Sequence, residues 1–159
     1  MEREKRSKQY SRNKGVLFER KIAKMLSGWW GDTFSRTPLS GGWQKKREEG
    51  KRVRGDIITP DNFPFLVECK KRELWTLDNV SKHHFVPLRW YLTLEKECGN
   101  DKKPLLFFTK NNAPIFVMTD VFLSDSPFNI RIMHPKKHHG LYIYDVQNFM
   151  LLMPAGENL

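Results

Sequence analysis

The chain has 159 residues, 39% of them hydrophobic, and a formal net charge of +10. That length and apolar content predict one globular domain with a core of its own. No apolar run reaches the roughly 20 residues of a membrane span, the start is charged with no apolar signal region, and two cysteines, Cys69 and Cys98, make no disulfide framework.

Residues 1–12 are polar and basic and read as a mobile arm. Residues 13–27 read as a helix, with Phe18, Ile22, Met25 and Leu26 at i, i+4, i+7 and i+8. Asn13 can cap its start and Gly28 can end it. Glu19 lies at the edge of the apolar stripe, near Leu26, and can look inward at a neighbouring sheet. Residues 33–37 can form a short strand, and 38–53 a glycine- and lysine-rich loop. Residues 54–59 and 65–70 read as a hairpin across a Pro-Asp-Asn-Phe-Pro turn. A helical segment follows over 74–98, where Pro87 either breaks or kinks the helix or opens its second part. Strands are expected at 104–109 and 113–118, joined through Asn111-Asn112, and as edge strands at 130–133 and 141–144. Residues 145–153 form an apolar C-terminal segment. The order is α-β-β-β-α-β-β, a mixed α/β sheet with helices packed on it.

Charge is segregated. Residues 1–72 hold 19 Lys and Arg against 9 Asp and Glu, whereas residues 73–159 hold 9 of each. The excess positive charge therefore lies in the half that carries the acidic motif, Asp56 followed by Glu68-Cys69-Lys70. Glu68 and Lys70 point to the same face of a strand. If Thr59 faces Phe65 across the hairpin, Asp56 faces Glu68. Two opposed carboxylates are destabilising unless a cation lies between them, and a hard divalent metal prefers carboxylate oxygen. A basic surface around such a pair suits a polyanion such as a nucleic acid. Glu-x-Lys alone also fits a surface hairpin with exposed charges.

These residues resemble the signature of the PD-(D/E)XK nuclease superfamily, with Gly55 where the literal Pro would stand. Within it the likeness is to archaeal Holliday junction resolvases and related phage nucleases. Lys14-Gly15 with Glu19-Arg20 resembles the first helix of that group, and Arg36 with Ser40-Gly41-Gly42 resembles its strand-and-loop element. The resemblance spans roughly Lys14 to Arg72, with looser agreement through Met118. The Ser40-to-Asp56 spacing is longer than in the archaeal enzymes, which bears on which branch structure is cut.

The resemblance implies a restriction-endonuclease-like α/β fold, a mixed central sheet flanked by helices, over a single nuclease domain at 13–153 with a tail at 154–159. It implies Mg²⁺, with Mn²⁺ as a substitute, held by Asp56, Glu68 and the Cys69 backbone carbonyl. Lys70 then orients water or stabilises developing negative charge. Glu19 serves a second metal or acts through water, and Ser40 touches a phosphate. Lys14, Arg36, Lys45, Lys46, Arg47, Lys51, Arg52, Lys71 and Arg72 are the candidate DNA contacts. The basic loop from Gly41 to Arg54 is expected to be disordered without DNA and to close over a branch.

Other features read plainly. His83-His84 and His138-His139 are adjacent pairs without Cys partners, poor material for a zinc site. Trp29, Trp30, Trp75 and Trp90 read as core or interface residues rather than base-stacking platforms, and no glycine-rich phosphate loop indicates ATP use. The expected protein is a Mg²⁺-dependent endonuclease acting on branched DNA, foremost Holliday junctions. It is expected to work as a homodimer in the cytoplasm, that of the host if phage-encoded. The alternatives are a nuclease of the same fold acting on flaps, mismatches or recognition sites, and a non-catalytic DNA-binding module on that scaffold.

Overall fold

A computed structural model describes residues 2–38, 54–82 and 84–155. Helix α1 spans Glu2–Trp30, and strands β1 (Ser35–Arg36) and β2 (Ile57–Ile58) follow. Next come β3 (Phe65–Lys71), a single 3-10 turn (Leu77–Asn79), α2 (Val86–Cys98), β4 (Lys103–Thr109) and β5 (Phe116–Thr119). Strands β6 (Asn129–Met133) and β7 (Gly140–Asp145) and helix α3 (Val146–Leu152) are the last elements among the described residues. The main sheet has the order β3-β4-β5-β7-β6, and β1-β2 form a separate pair. This is the mixed α/β architecture, with flanking helices, that the element order predicts.

Alternation along β3 and β4 divides the core in two. Phe65, Val67 and Cys69, with Leu105 and Phe107, face one side and meet Phe18, Ile22, Ala23 and Leu26 of α1 and Phe149 of α3. Leu66, Leu106 and Phe108 face the other side and meet Tyr91, Leu94 and Cys98 of α2. Strands buried on both faces carry near-continuous apolar runs, as parallel pairs covered by helices do. Helix α2 is the crossover between parallel β3 and β4, which pair from Phe65↔Lys103 through Lys71↔Thr109. Pro87 sits in its first turn and Gly99, at φ +65°, follows its end. Of the two readings of Pro87, the helix-opening one holds.

The structure corrects several boundaries. Helix α1 begins at Glu2, so the segment read as a mobile arm is helical from there, and Asn13 lies inside the helix, accepting from Gln9 at 3.1 Å. Lys, Arg, Glu and Gln are all good helix formers, and nothing in 2–12 breaks the pattern. The helix ends at Gly31 rather than Gly28, with φ +80° and its N–H on the Ser27 carbonyl at 3.1 Å. Strand β7 is interior, between β5 and β6, not an edge.

The largest correction concerns the hairpin. Strand β2 pairs antiparallel with β1, Ser35↔Ile58 and Arg36↔Ile57, and makes no ladder with β3. Pro60 and Pro64 bracket the intervening turn and supply no N–H. Phe63, between them, is buried among Trp29, Trp30, Phe34 and Phe65. That anchor draws the turn toward α1. Thr59 accordingly accepts from the Lys102 ammonium at 2.9 Å and does not face Phe65.

Candidate active site

Asp56 reaches the edge of β3 by two hydrogen bonds. Its backbone N–H donates to the Val67 carbonyl at 2.9 Å, and its Oδ2 accepts from the Cys69 N–H at 2.8 Å. Within a strand, the N–H and C=O of one residue leave on the same side. The Cys69 carbonyl therefore opens toward the edge where the Asp56 carboxylate stands. The backbone is tightly constrained here. Gly55 has φ +75°, and a Cβ on it would lie 2.6 Å from the Val67 carbonyl oxygen. Only glycine accommodates both demands, which accounts for Gly55 before the aspartate. Thr37 holds the same turn from behind: its N–H donates to the Asp56 carbonyl at 2.8 Å and its Oγ1 to the Gly55 carbonyl at 3.1 Å.

The electrostatics are those of a carboxylate kept close to another. Asp56 is 8% exposed. Burial first, then the charge of Glu68 and a smaller effect of Glu19, push its pKa up to about 7, against the opposing pull of the Cys69 N–H and Lys70. Glu68 and Lys70 share the α2 side of β3 and form an ion pair. Burial alone would lower the Lys70 amine, but the charge and hydrogen bond of Glu68, with help from Asp56, outweigh it and hold the pKa above 10.5. Lys70 is thus a fixed ammonium. Cys69 points the other way, into the α1 core, where burial raises its thiol pKa well above the usual range. The thiol is inert, and only its backbone faces the site.

Glu19 is buried on α1 and pairs with the Arg36 guanidinium on β1. Arg36 stands opposite Ile57, the residue after Asp56, so the α1 carboxylate is linked to the Asp56 turn through β1. The structure therefore brings together Glu19, Arg36, Asp56, Glu68, the Cys69 backbone and Lys70. Among the described residues no three His, Cys, Asp or Glu side chains converge closely enough to hold a metal ion. The local donor set at β3 is two carboxylates and a backbone carbonyl, all oxygen, which fits a hard divalent cation.

The basic candidates are placed unevenly. The Lys14 ammonium lies over the Tyr10 ring, 4.5 Å from its centroid. Lys71 closes β3, and Arg72 follows with its N–H on the Thr109 carbonyl at 3.1 Å. Ser40, Lys45, Lys46, Arg47, Lys51 and Arg52, with the loop expected to close over a branch, lie outside the described residues. Arg54 differs from the expectation of a loop cation. It pairs with Asp101 and donates to the carbonyls of Glu97 and Cys98 at 3.1 and 2.9 Å. It thereby satisfies the last carbonyls of α2 and complements the helix dipole. Neither Thr37 nor Arg54 was recognisable as a site-building residue, because their partners are distant in sequence or are backbone atoms.

Against known proteins, one family model, described as "Phage putative PDDEXK endonuclease", matches residues 10–148. No curated protein and no solved structure matches the chain significantly.

Proposed function

We propose, from the premise that the chain belongs to the phage PDDEXK endonuclease family, that it is a divalent-metal-dependent endonuclease acting on branched DNA, with Holliday junctions its foremost substrate. The observation that carries this reading is the placing of Asp56, Glu68 and the Cys69 carbonyl around one edge of β3, with the Lys70 ammonium fixed beside them. Asp56, Glu68 and the Cys69 carbonyl would hold Mg²⁺, or Mn²⁺ in its place. When bound, the ion supplies Lewis acidity at the scissile phosphate.

The protein's own groups do the rest. Lys70 presents a permanent positive charge where the phosphate gains negative charge, a preorganised contribution to transition-state stabilisation. The Gly55 turn, held by Thr37, keeps the Asp56 carboxylate in place, so little reorganisation is needed when a substrate arrives. Glu19 and Arg36 buttress the turn from the α1 side. Ser40 and the basic residues Lys14, Arg36, Lys45, Lys46, Arg47, Lys51, Arg52, Lys71 and Arg72 are assigned to the DNA backbone. Such contacts set affinity and register rather than sequence preference.

A junction requires two cuts and each chain supplies one site, so the working unit is assigned as a two-fold homodimer. The test is cleavage of a labelled four-way junction beside flap, mismatched, linear and single-stranded DNA, with Mg²⁺ and with EDTA. Paired symmetric cuts in the junction support the assignment. Preferred cutting of flaps or mismatches moves the substrate within the same enzyme class. Binding without cleavage under every divalent ion makes the chain a non-catalytic DNA-binding module.

A further inference from the structure

A cleft of about 290 Å³ opens between β3 and α2, beside the acidic pair. Glu68, Lys70 and Arg72 form one wall, so whatever fills the cleft adjoins the group bound at Asp56 and Glu68. The other wall comes from α2, where Trp90, Thr93, Leu94 and Glu97 recur at i, i+3, i+4 and i+7 and so share one face. Leu94 is buried beneath and supplies an apolar floor. Trp90 packs on the α2-side core yet is only partly buried, leaving part of its indole at the cleft. Glu97 is exposed at the rim, and Arg54 fixes its backbone through the carbonyl bond at 3.1 Å.

The lining combines two chemistries. Lys70 and Arg72 are cations two residues apart on one side of the chain, about 7 Å along an extended backbone, and suit a phosphate-bearing strand passing over the mouth. An aromatic ring over an apolar floor suits a flat ring. The volume lies at the low end of small-ligand pockets, about 300–1,000 Å³, and fits one nucleoside rather than a base pair. Glu97 carries negative charge, so it repels phosphate and instead accepts from an amine.

We propose that the β3–α2 cleft is a subsite for one unstacked nucleobase beside the scissile phosphate, with Trp90 as its stacking surface and Glu97 as the acceptor for its exocyclic amine. The subsite rests on the nuclease reading and narrows it. Adenine, cytosine and guanine carry such an amine, whereas thymine has none and offers only an N3–H flanked by two carbonyl oxygens that Glu97 repels, and so is disfavoured. A base can enter only where it is already unpaired or easily unstacked, and a base still paired in a duplex must be opened at a cost. The cleft thus favours DNA whose stacking is interrupted next to the cut, as at a branch.

The test uses the full-length protein and four-way junctions carrying each of the four bases at the nucleotide flanking the cut. Affinity is measured in EDTA, so that binding is read without cleavage, and kcat and KM are measured in Mg²⁺. Stacking of one base on an aromatic residue corresponds to about 5- to 150-fold in affinity. Trp90→Ala is expected to weaken junction binding at least about fivefold and to raise KM more than it lowers kcat, with Trp90→Phe recovering most of the loss. Glu97→Gln, at an exposed position, is expected to fold normally and to remove the discrimination against thymine, since its amide can donate to the thymine carbonyl. Unchanged affinity in Trp90→Phe and Trp90→Ala, or a base preference identical in Glu97→Gln and the wild type, overturns the subsite. Wild-type protein that binds junctions in EDTA but cleaves none in any divalent ion overturns the nuclease reading instead, and the binding measurements still decide the subsite.

Discussion

The Asp56 carboxylate takes from Cys69 the N–H that a neighbouring strand would otherwise accept. With the Asp56 N–H on the Val67 carbonyl, one residue stands in for a strand at the open edge of β3. This arrangement holds a carboxylate against the sheet without a ladder, and it has consequences for stability.

The first is a pH dependence. The folded-state pKa of Asp56 stands at about 7, above the ordinary 3.8, because burial and Glu68 disfavour its charge. The folded protein therefore binds this proton more tightly than the unfolded chain does. Stability from this group is fully present below about pH 4 and is lost as pH rises toward 7. In EDTA, Asp56→Asn keeps an acceptor for Cys69 and removes the charge. Its stability advantage over wild type is expected to grow from pH 4 to pH 7 to on the order of 2–4 kcal/mol. Denaturant midpoints across that range check this, and a pH-independent difference would contradict it.

Gly55 is the second point of constraint. A Cβ there meets the Val67 carbonyl oxygen at 2.6 Å in a backbone conformation of φ +75°. Gly55→Ala is expected to destabilise the fold by about 2–4 kcal/mol, from left-handed strain and the displaced contact together. It should also slow cleavage by moving Asp56. A midpoint equal to wild type would show that the turn relaxes freely.

Glu19 and Arg36 form the third. Both are largely withdrawn from solvent, with side chains 10% and 22% exposed. Glu19→Gln keeps a hydrogen-bond acceptor but removes the charge that Glu19 presents to the Arg36 guanidinium. It is expected to cost about 1–3 kcal/mol and to lower the cleavage rate across a Mg²⁺ titration. A double-mutant cycle with Arg36→Met should show coupling of at least about 0.5 kcal/mol. Wild-type rate and stability together would make Glu19 a helix-flank residue.

The basic run provides the fourth. Replacing Lys45, Lys46 and Arg47 by Ala should weaken junction binding and flatten its salt dependence by about 0.9 in log–log slope for each lost phosphate contact on duplex DNA. An unchanged slope would remove these residues from the interface. An equal loss on linear duplex would assign branch selectivity to dimer geometry.

Much of this architecture could be read from local pattern. The α1 stripe announced Phe18, Ile22 and Leu26, and all three are buried. The apolar runs announced β3, β4 and β5, and Glu68 and Lys70 do share a face. Strand pairing was less legible. Strand β2 has only two residues, and its partner is set by Phe63 packing against α1 rather than by the nearest run in sequence. The end of α1 was ambiguous because Gly28 and Gly31 are equally plausible stops by residue type, and only backbone geometry separates them. Arg54 meets Asp101 across 47 positions, a contact with no local signal. The cleft has no local signature in the sequence, because Trp90 and Glu97 face β3 only once α2 is laid across the sheet.

The most direct measurement is Mg²⁺-dependent cleavage of a labelled four-way junction by wild type and by Asp56→Ala, Glu68→Ala and Lys70→Ala, with junction binding measured in parallel. The account predicts paired cuts by the wild type, loss of cutting in EDTA and in all three variants, and binding retained or tightened where a carboxylate is removed. Full cleavage by Asp56→Ala, or equal cleavage in EDTA, would contradict it.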